Sequence, residues 1–86
     1  MEEHRILGIR VNDRIKEAGR TQHLITRNSD LVNVRLGFHE LSDDVCSRTG
    51  FIILQLKGKP EEWDSFQEQL NEIGGIEVKN MSFNIN

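Results

Sequence analysis

The sequence lacks the features that mark a secreted, membrane-embedded or disulfide-stabilised protein. It has one cysteine, which excludes a disulfide within the chain and is typical of a reducing compartment. Its apolar runs are far shorter than the roughly 20 residues that cross a bilayer. Residues 1–5 lack the basic start and the long apolar run of a signal peptide. We therefore expect a cytoplasmic protein that does not enter a membrane.

An excess of basic residues is also missing. Eleven basic and fourteen acidic residues are mixed along the chain, and the formal net charge is −3. Such a chain has no long-range attraction to nucleic acid or to an anionic membrane surface. Direct binding to nucleic acid is therefore not expected, and no segment is left for a helix-turn-helix beside the elements assigned below.

The sequence has no internal repeat, no low-complexity tract and no linker. Its 86 residues are suited to one domain, which we expect to span residues 1–86. A domain of this size buries a smaller share of its surface than a larger one does. Its stability should therefore be modest or shared with a partner.

The clearest elements are a strand and a helix in the second half of the chain. Residues 51–56 are rich in β-branched and aromatic side chains and lie between Gly50 and Gly58, which predicts a central strand. Pro60 is suited to the first position of a helix, and Gly74 is suited to its end. The apolar stripe of this helix has three- and four-residue spacing and consists of Trp63, Phe66, Leu70 and Ile73.

Three further strands and one helix complete the pattern. Alternating apolar residues predict strands at residues 5–11 and 32–38, with a helix between them that is capped by Asn12 or Asp13. A last strand begins at residue 76, where the apolar alternation changes phase near Asn80. A bulge at Asn80 would give this strand one apolar face, and without a bulge apolar groups lie on both faces.

The order strand, helix, strand, strand, helix, strand predicts an α+β ferredoxin-like (ACT-like) βαββαβ sandwich. Right-handed crossovers place both helices on one face of a four-stranded antiparallel sheet, with the first and third strands in the middle. The predicted core between the helices and the sheet consists of Leu7, Ile9, Ile15, Ala18, Ile25, Val34, Leu36, Ile52, Leu54, Leu56, Trp63, Phe66, Leu70 and Ile73.

The other face of the predicted sheet is apolar enough to suggest a partner. Ile6, Phe51 and Ile53 fall on this face, together with Arg10 and Arg35. Exposed apolar area of this kind is typical of interaction surfaces. We expect these five residues to form the interface of a homo-oligomer, either a dimer or a tetramer. Phe51 is the one aromatic residue expected on the two central strands, which also argues against RNA binding by base stacking.

Four segments, residues 10–14, 31–38, 51–58 and 70–79, resemble a known family. With their Arg-Leu-Gly and Gly-Gly-Ile-Glu-Val-Lys motifs, they are similar to the small proteins labelled iron-only hydrogenase system regulators. The resemblance implies an ACT-like fold similar to the effector domain of the nickel-responsive repressor. It also implies an oligomeric regulatory module with a role connected to transcription.

The resemblance places a candidate ligand site at the first strand-helix loop, where ACT-like modules hold small ligands. The loop consists of Asn12, Asp13 and Arg14. Amides at the start of a helix are available to an anionic group, and Arg14 adds positive charge. The alternative is that the Asn-Asp pair only caps the helix.

A metal site is a further hypothesis. In the nickel-responsive effector domain, two histidines one residue apart precede a cysteine, and His39 and Cys46 match the later two positions here. Gly37 occupies the place of the first histidine, so His23 or a partner chain would have to complete the site. The alternative is a partly exposed histidine and a small buried thiol.

Catalysis is not expected. Acylphosphatases share the predicted order of elements, but they need a glycine-rich phosphate cradle with a following arginine after the first strand. Residues 12–14 supply no glycine, and Asp13 would repel a phosphate. We therefore expect an oligomeric regulatory module, without a cofactor, that binds a small effector or a partner protein. The alternatives are a structural assembly protein without an effector and a metal-sensing module.

Overall fold

The structure is a computed structural model that describes residues 2–39 and 49–85. Four antiparallel strands form one sheet in the order β2-β3-β1-β4, so that the first and third strands are central. This confirms the predicted ferredoxin-like α+β fold. The elements are β1 (Glu2–Val11), α1 (Arg14–Arg27), a 3-10 turn (Ser29–Leu31), β2 (Val32–His39), β3 (Gly50–Leu56), α2 (Pro60–Asn71) and β4 (Ile76–Ile85).

The core lies between the two helices and one face of the sheet. The odd-numbered residues of β1 from Leu7 to Val11 and the even-numbered residues of β3 from Ile52 to Leu56 are buried there. Helix α2 contributes the buried residues that the three- and four-residue spacing indicated, whereas of the predicted residues of α1 it is Ile25 that is fully buried. The buried apolar residues are Leu7, Ile9, Val11, Ile25, Leu31, Ile52, Leu54, Leu56, Trp63, Phe66 and Leu70.

Helix α1 begins as predicted but turns a different face to the sheet. Asp13 has an extended backbone and caps the helix, and its carboxylate accepts hydrogen bonds from the amides of Ile15 and Lys16. The side chain of Ile15 is 78% exposed, so its predicted place in the core is wrong. Glu17 belongs to the buried stripe of the helix. Ile15 lies two residues earlier, which corresponds to a rotation of about 200° around the helix axis, so its side chain points away from the sheet.

Strand β2 departs most from the prediction. Its pairing with β3 shifts between Val32 and Val34, where one extra residue of β2 enters the ladder. Because successive side chains alternate between faces, the shift moves Val34 and Leu36 out of the predicted core and onto the uncovered face. It moves Arg35 the other way, opposite buried Leu54.

Strand β4 pairs with β1 without a shift from Ile85 opposite Glu2 to Ile76 opposite Val11. Asn80 is therefore not a bulge, and the strand carries apolar groups on both faces. Ile76 and Val78 pack against the core, whereas Met81 and Phe83 lie on the uncovered face. Helix α2 ends at Asn71, and the left-handed residue of the following turn is Gly75 rather than the predicted Gly74.

Within residues 2–39 and 49–85, neither helix has the length and apolar character that crossing a membrane requires.

Candidate functional site

The candidate site is the sheet face that the helices leave uncovered, called the open face below. The register of the four strands brings together side chains that are far apart in sequence. Aligned rows run across the sheet, for example from Leu36 through Ile53 and Gly8 to Lys79. The apolar residues of the open face are Ile6, Val34, Leu36, Phe38, Phe51, Ile53, Met81 and Phe83.

Most of these apolar side chains are accessible to solvent in the single chain. Leu36 is 57% exposed and Met81 is 54% exposed, at opposite edges of the sheet. On the β2 and β3 half of the face, the rings of Phe38 and Phe51 stack with their centroids 5.5 Å apart and an angle of 16° between their planes. Apolar side chains are therefore exposed on both edge strands and on β3, which is unusual for a surface that faces only water.

Charged groups of the open face lie on the β1 and β4 half. The Arg10 guanidinium lies 3.5 Å from a carboxylate oxygen of Glu77. Lys79 follows on the same face of β4, and Glu2 occupies the far end of β1. Among the residues that the structure describes, two acidic and two basic positions thus share this face, and their formal charges cancel.

Four of the five residues predicted for the interface, Ile6, Arg10, Phe51 and Ile53, lie on the open face. Arg35 does not, and its predicted place there is wrong. The bulge in β2 turns Arg35 to the helix side, where its guanidinium lies 3.4 Å from the hydroxyl of Thr26. Sequence reasoning missed five apolar members of this face. The phase change in β4 indicated two of them, Met81 and Phe83, whereas no signal within β2 revealed its bulge.

The predicted ligand loop lies beside a second feature, a hollow of about 310 Å³ next to Arg14, called the Arg14 hollow below. Its lining comes from the β1 end, α1 and the adjoining ends of β2 and β3, including Val11, Gln22 and Phe38. The Gln22 side-chain oxygen is buried and accepts no hydrogen bond within the described part of the chain. The Arg14 stem packs closely on Gly50, where an added Cβ would lie 2.8 Å from the Arg14 Cγ.

The other two residues of this loop have structural roles. The carboxylate of Asp13 accepts from the Ile15 amide at 3.0 Å and from the Lys16 amide at 3.3 Å. The amide of Asn12 donates to the Gly75 carbonyl at 2.9 Å, which joins the loop to the turn before β4. Of the predicted ligand residues, Arg14 is thus the one that lines the hollow.

The metal hypothesis stays a prediction. Cys46 lies outside the described residues, and His39 is described only as the last residue of β2, paired with Gly50. His23, which would complete the site within the chain, lies on the exposed surface of α1. Residues 2–39 and 49–85 contain no cluster of three or more His, Cys, Asp or Glu residues that could hold a metal ion.

A polar cluster fixes the end of the sheet away from the Arg14 hollow. The Arg5 guanidinium donates to Asp64 at 2.6 Å and to Glu3 at 2.9 Å, and it lies 5.3 Å from the ring centre of Trp63. The Ser82 hydroxyl, which donates to Glu3 at 2.6 Å, and the Arg5 guanidinium lower the pKa of the Glu3 carboxyl. The cluster ties β1 and β4 to α2.

Comparison with known proteins gives a fold but no function. No family model matches the chain, and no curated protein matches it. Among solved structures, the chain is similar to uncharacterized protein TM1266 from Thermotoga maritima, with a TM-score of 0.80 and 25% sequence identity. The match covers 96% of this chain and 100% of that one.

Proposed function

We propose that this chain is a regulatory module without catalytic activity, and that it works as a pair of copies joined through their open faces. The observation that carries the proposal is the set of exposed apolar side chains on one face of the sheet, on both edge strands (for example Leu36 on β2 and Met81 on β4) and on β3 between them. The sequence resemblance to iron-only hydrogenase system regulators, which implies an oligomeric module, supports the same function. It also supports a role connected to transcription, exercised through a partner.

The size of the open face is consistent with a stable pair. Four strands of seven to ten residues, about 4.8 Å apart and rising about 3.3 Å per residue, have a projected area of roughly 500 Å². Side chains roughen this surface, so its accessible area approaches the roughly 800 Å² per partner that stable complexes bury.

The charges favour a second copy as the partner. Acidic and basic positions balance on the open face, so two identical faces bring no net charge into contact. Glu77 and Lys79 project from β4 at one edge of the sheet, where long side chains can keep their charged ends in water after pairing. A strongly basic or acidic partner would find no complementary charge here.

The pairing is tested by the mass of the protein in solution. Light scattering at increasing concentration should show the mass of two chains for the wild type. Met81→Glu places a carboxylate within the apolar contact. We expect it to raise the dissociation constant at least a hundredfold, or about 2.8 kcal/mol. Ile15→Glu is the matched control, because Ile15 is more exposed than Met81 and lies on α1, away from the open face.

Two results would contradict the pairing. One is a wild-type protein that remains a single chain at its highest soluble concentration. The other is a Met81→Glu variant that associates as tightly as the Ile15→Glu variant. Circular dichroism of both variants establishes that the fold is intact before their masses are compared.

The Arg14 hollow supports a small effector as the regulatory ligand. Its volume of about 310 Å³ lies at the lower end of the range for small-molecule sites, about 300–1,000 Å³. The buried oxygen of Gln22 needs a hydrogen-bond donor, which an amine, amide or hydroxyl group of the effector would supply.

Thermal shift assays with amino acids, nucleotides and divalent metals test this part of the proposal. An effector at a hundred times its dissociation constant should stabilise the protein by about 2.7 kcal/mol. Gln22→Met should reduce the shift. No shift with any of these compounds, for a protein that does form pairs, would favour a structural assembly protein without an effector.

A further inference from the structure

Gly8 lies at the centre of the open face, where a glycine has no evident role within the chain. It is in the middle of central strand β1, between Ile53 of β3 and Lys79 of β4. Its φ is not positive, so the backbone does not require glycine. A Cβ added at Gly8 would meet no heavy atom within 4 Å among its neighbours. Glycine weakens the interior of a strand and often marks a place that another group approaches closely.

A shallow hollow of about 360 Å³ lies over Gly8 and is called the Gly8 hollow below. Phe51 and Ile53 form its wall on the β3 side, and Glu77 and Lys79 border it on the β4 side. Most of the lining is apolar, and the charged side chains in it are those of Arg10, Glu77 and Lys79. A branched aliphatic side chain entering from above would therefore meet apolar atoms.

Ile53 is the direct neighbour of Gly8 in the sheet, so a raised side chain and a hollow lie side by side at the sheet centre. The midline of the order β2-β3-β1-β4 passes between β3 and β1. A two-fold axis along this midline, parallel to the strands, places β3 of one copy over β1 of the other. Each Ile53 then lies over the Gly8 of the second copy, and the contact is made twice by symmetry.

A two-fold axis that runs across the strands through this row gives a poorer fit. It places Gly8 over Gly8 and Ile53 over Ile53, so two hollows face each other while two branched side chains compete for one space. Interiors and stable interfaces are close-packed, and both the void and the overlap are unfavourable. Both axes keep the strands of the two sheets nearly aligned, as in packed sheets, so it is the fit at Gly8 and Ile53 that distinguishes them.

We propose that the Gly8 hollow receives Ile53 of a second copy, and that this reciprocal contact sets the arrangement of the pair. The inference rests on the proposed pairing through the open face and adds its symmetry and its specificity. Gly8 thus discriminates a matched copy from other apolar surfaces, because a surface without a raised side chain at this point leaves the hollow unfilled.

Three variants test the contact by sedimentation equilibrium. Gly8→Leu fills the hollow from its own chain and should raise the dissociation constant of the pair at least tenfold. Ile53→Ala removes the inserted side chain and should also raise it at least tenfold. The double variant, Gly8→Leu with Ile53→Ala, moves the raised side chain from β3 to β1. It should restore most of the affinity that each single variant loses. Gly19→Leu, on the exposed side of α1, is the control for an added leucine.

The outcomes separate this inference from the proposed function. If the wild type pairs but Gly8→Leu pairs as tightly or more tightly, the open face is a general apolar contact and the reciprocal insertion is wrong. A double variant no better than the weaker single variant also overturns the insertion. A wild type that never pairs overturns the proposed function itself. Should Gly8→Leu fail to fold by circular dichroism, Gly8→Ala and Ile53→Ala provide the same comparison with smaller changes.

Discussion

Gly75 and Glu17 are in close contact between the turn before β4 and helix α1. Gly75 has a φ of 83°, and a Cβ at this position would lie 2.9 Å from Cγ and 3.1 Å from Cδ of Glu17. Glu17 is buried beneath the turn and forms an ion pair with Arg20 at the helix surface. Both the backbone conformation and the available space therefore require glycine at position 75.

Gly75→Ala should destabilise the fold, whereas Gly74→Ala should not. Alanine at position 75 adopts an unfavourable positive φ and displaces Glu17, which should reduce the free energy of unfolding by about 1–3 kcal/mol. Gly74 has no atom within 4 Å of an added Cβ and its φ is not positive, so it serves as the matched control. Urea denaturation of the two variants measures the difference, and equal stabilities would contradict the prediction.

Asp13→Ala should weaken the start of helix α1. The carboxylate is the acceptor for the Ile15 and Lys16 amides, and loss of such a cap costs about 1 kcal/mol of stability. Asp13→Asn retains an acceptor oxygen at the cap position and should restore most of this loss. If denaturant midpoints show Asp13→Asn to be as unstable as Asp13→Ala, the charge of Asp13 matters more than its capping hydrogen bonds.

Glu3 should make the stability of the protein depend on pH in the acid range. Hydrogen bonds from Ser82 and Arg5 lower its folded-state pKa below the usual value of 4.5. A carboxyl whose pKa is lower in the folded state contributes stability that is complete above the unfolded-state pKa. This contribution is lost as the pH falls from about 4.5 through the lowered value.

The comparison of wild type with Glu3→Gln tests this assignment. The wild type should be the more stable at neutral pH. The difference in stability should shrink as the pH is lowered from about 5 towards about 3, a range that spans the usual pKa of a glutamate. Glu68→Gln, on the exposed surface of α2, controls for the loss of one negative charge. A difference that stays constant across this pH range would show that Glu3 titrates alike in the folded and unfolded states.

The central part of the fold could be predicted from sequence because its pattern and its register agree. Strands β1 and β3 pair without a shift, so the alternation of Leu7 and Ile9 against Gly8 and Arg10 assigns each residue to its observed face. In β2 the alternation is equally clear, yet it cannot tell which of the two sets is buried. The bulge after Val32 decides this, and it depends on pairing with β3 rather than on residues within β2.

The sequence therefore predicts where the open face lies but not how many residues it includes. Its centre, with Ile6, Phe51 and Ile53, follows from unshifted strands. The edge strands carry most of its exposed area, and their apolar groups, such as Leu36 and Met81, require the pairing partners to be known. Helical periodicity likewise gives the spacing of an apolar stripe but not which side of the helix faces the sheet. This is why the spacing alone places Ile15 in the core.

Gln22→Leu should leave the fold as stable as the wild type or make it more stable, and it should also weaken effector binding. The Gln22 oxygen is buried without a hydrogen-bond partner in the described part of the chain, which is unfavourable in the absence of a ligand. Leucine at this position removes the unsatisfied oxygen together with the acceptor that the proposed effector needs. Gln69→Leu, on the exposed surface of α2, is the matched control. A Gln22→Leu variant that loses stability while keeping the full effector shift would show that this oxygen supports the fold and not the ligand.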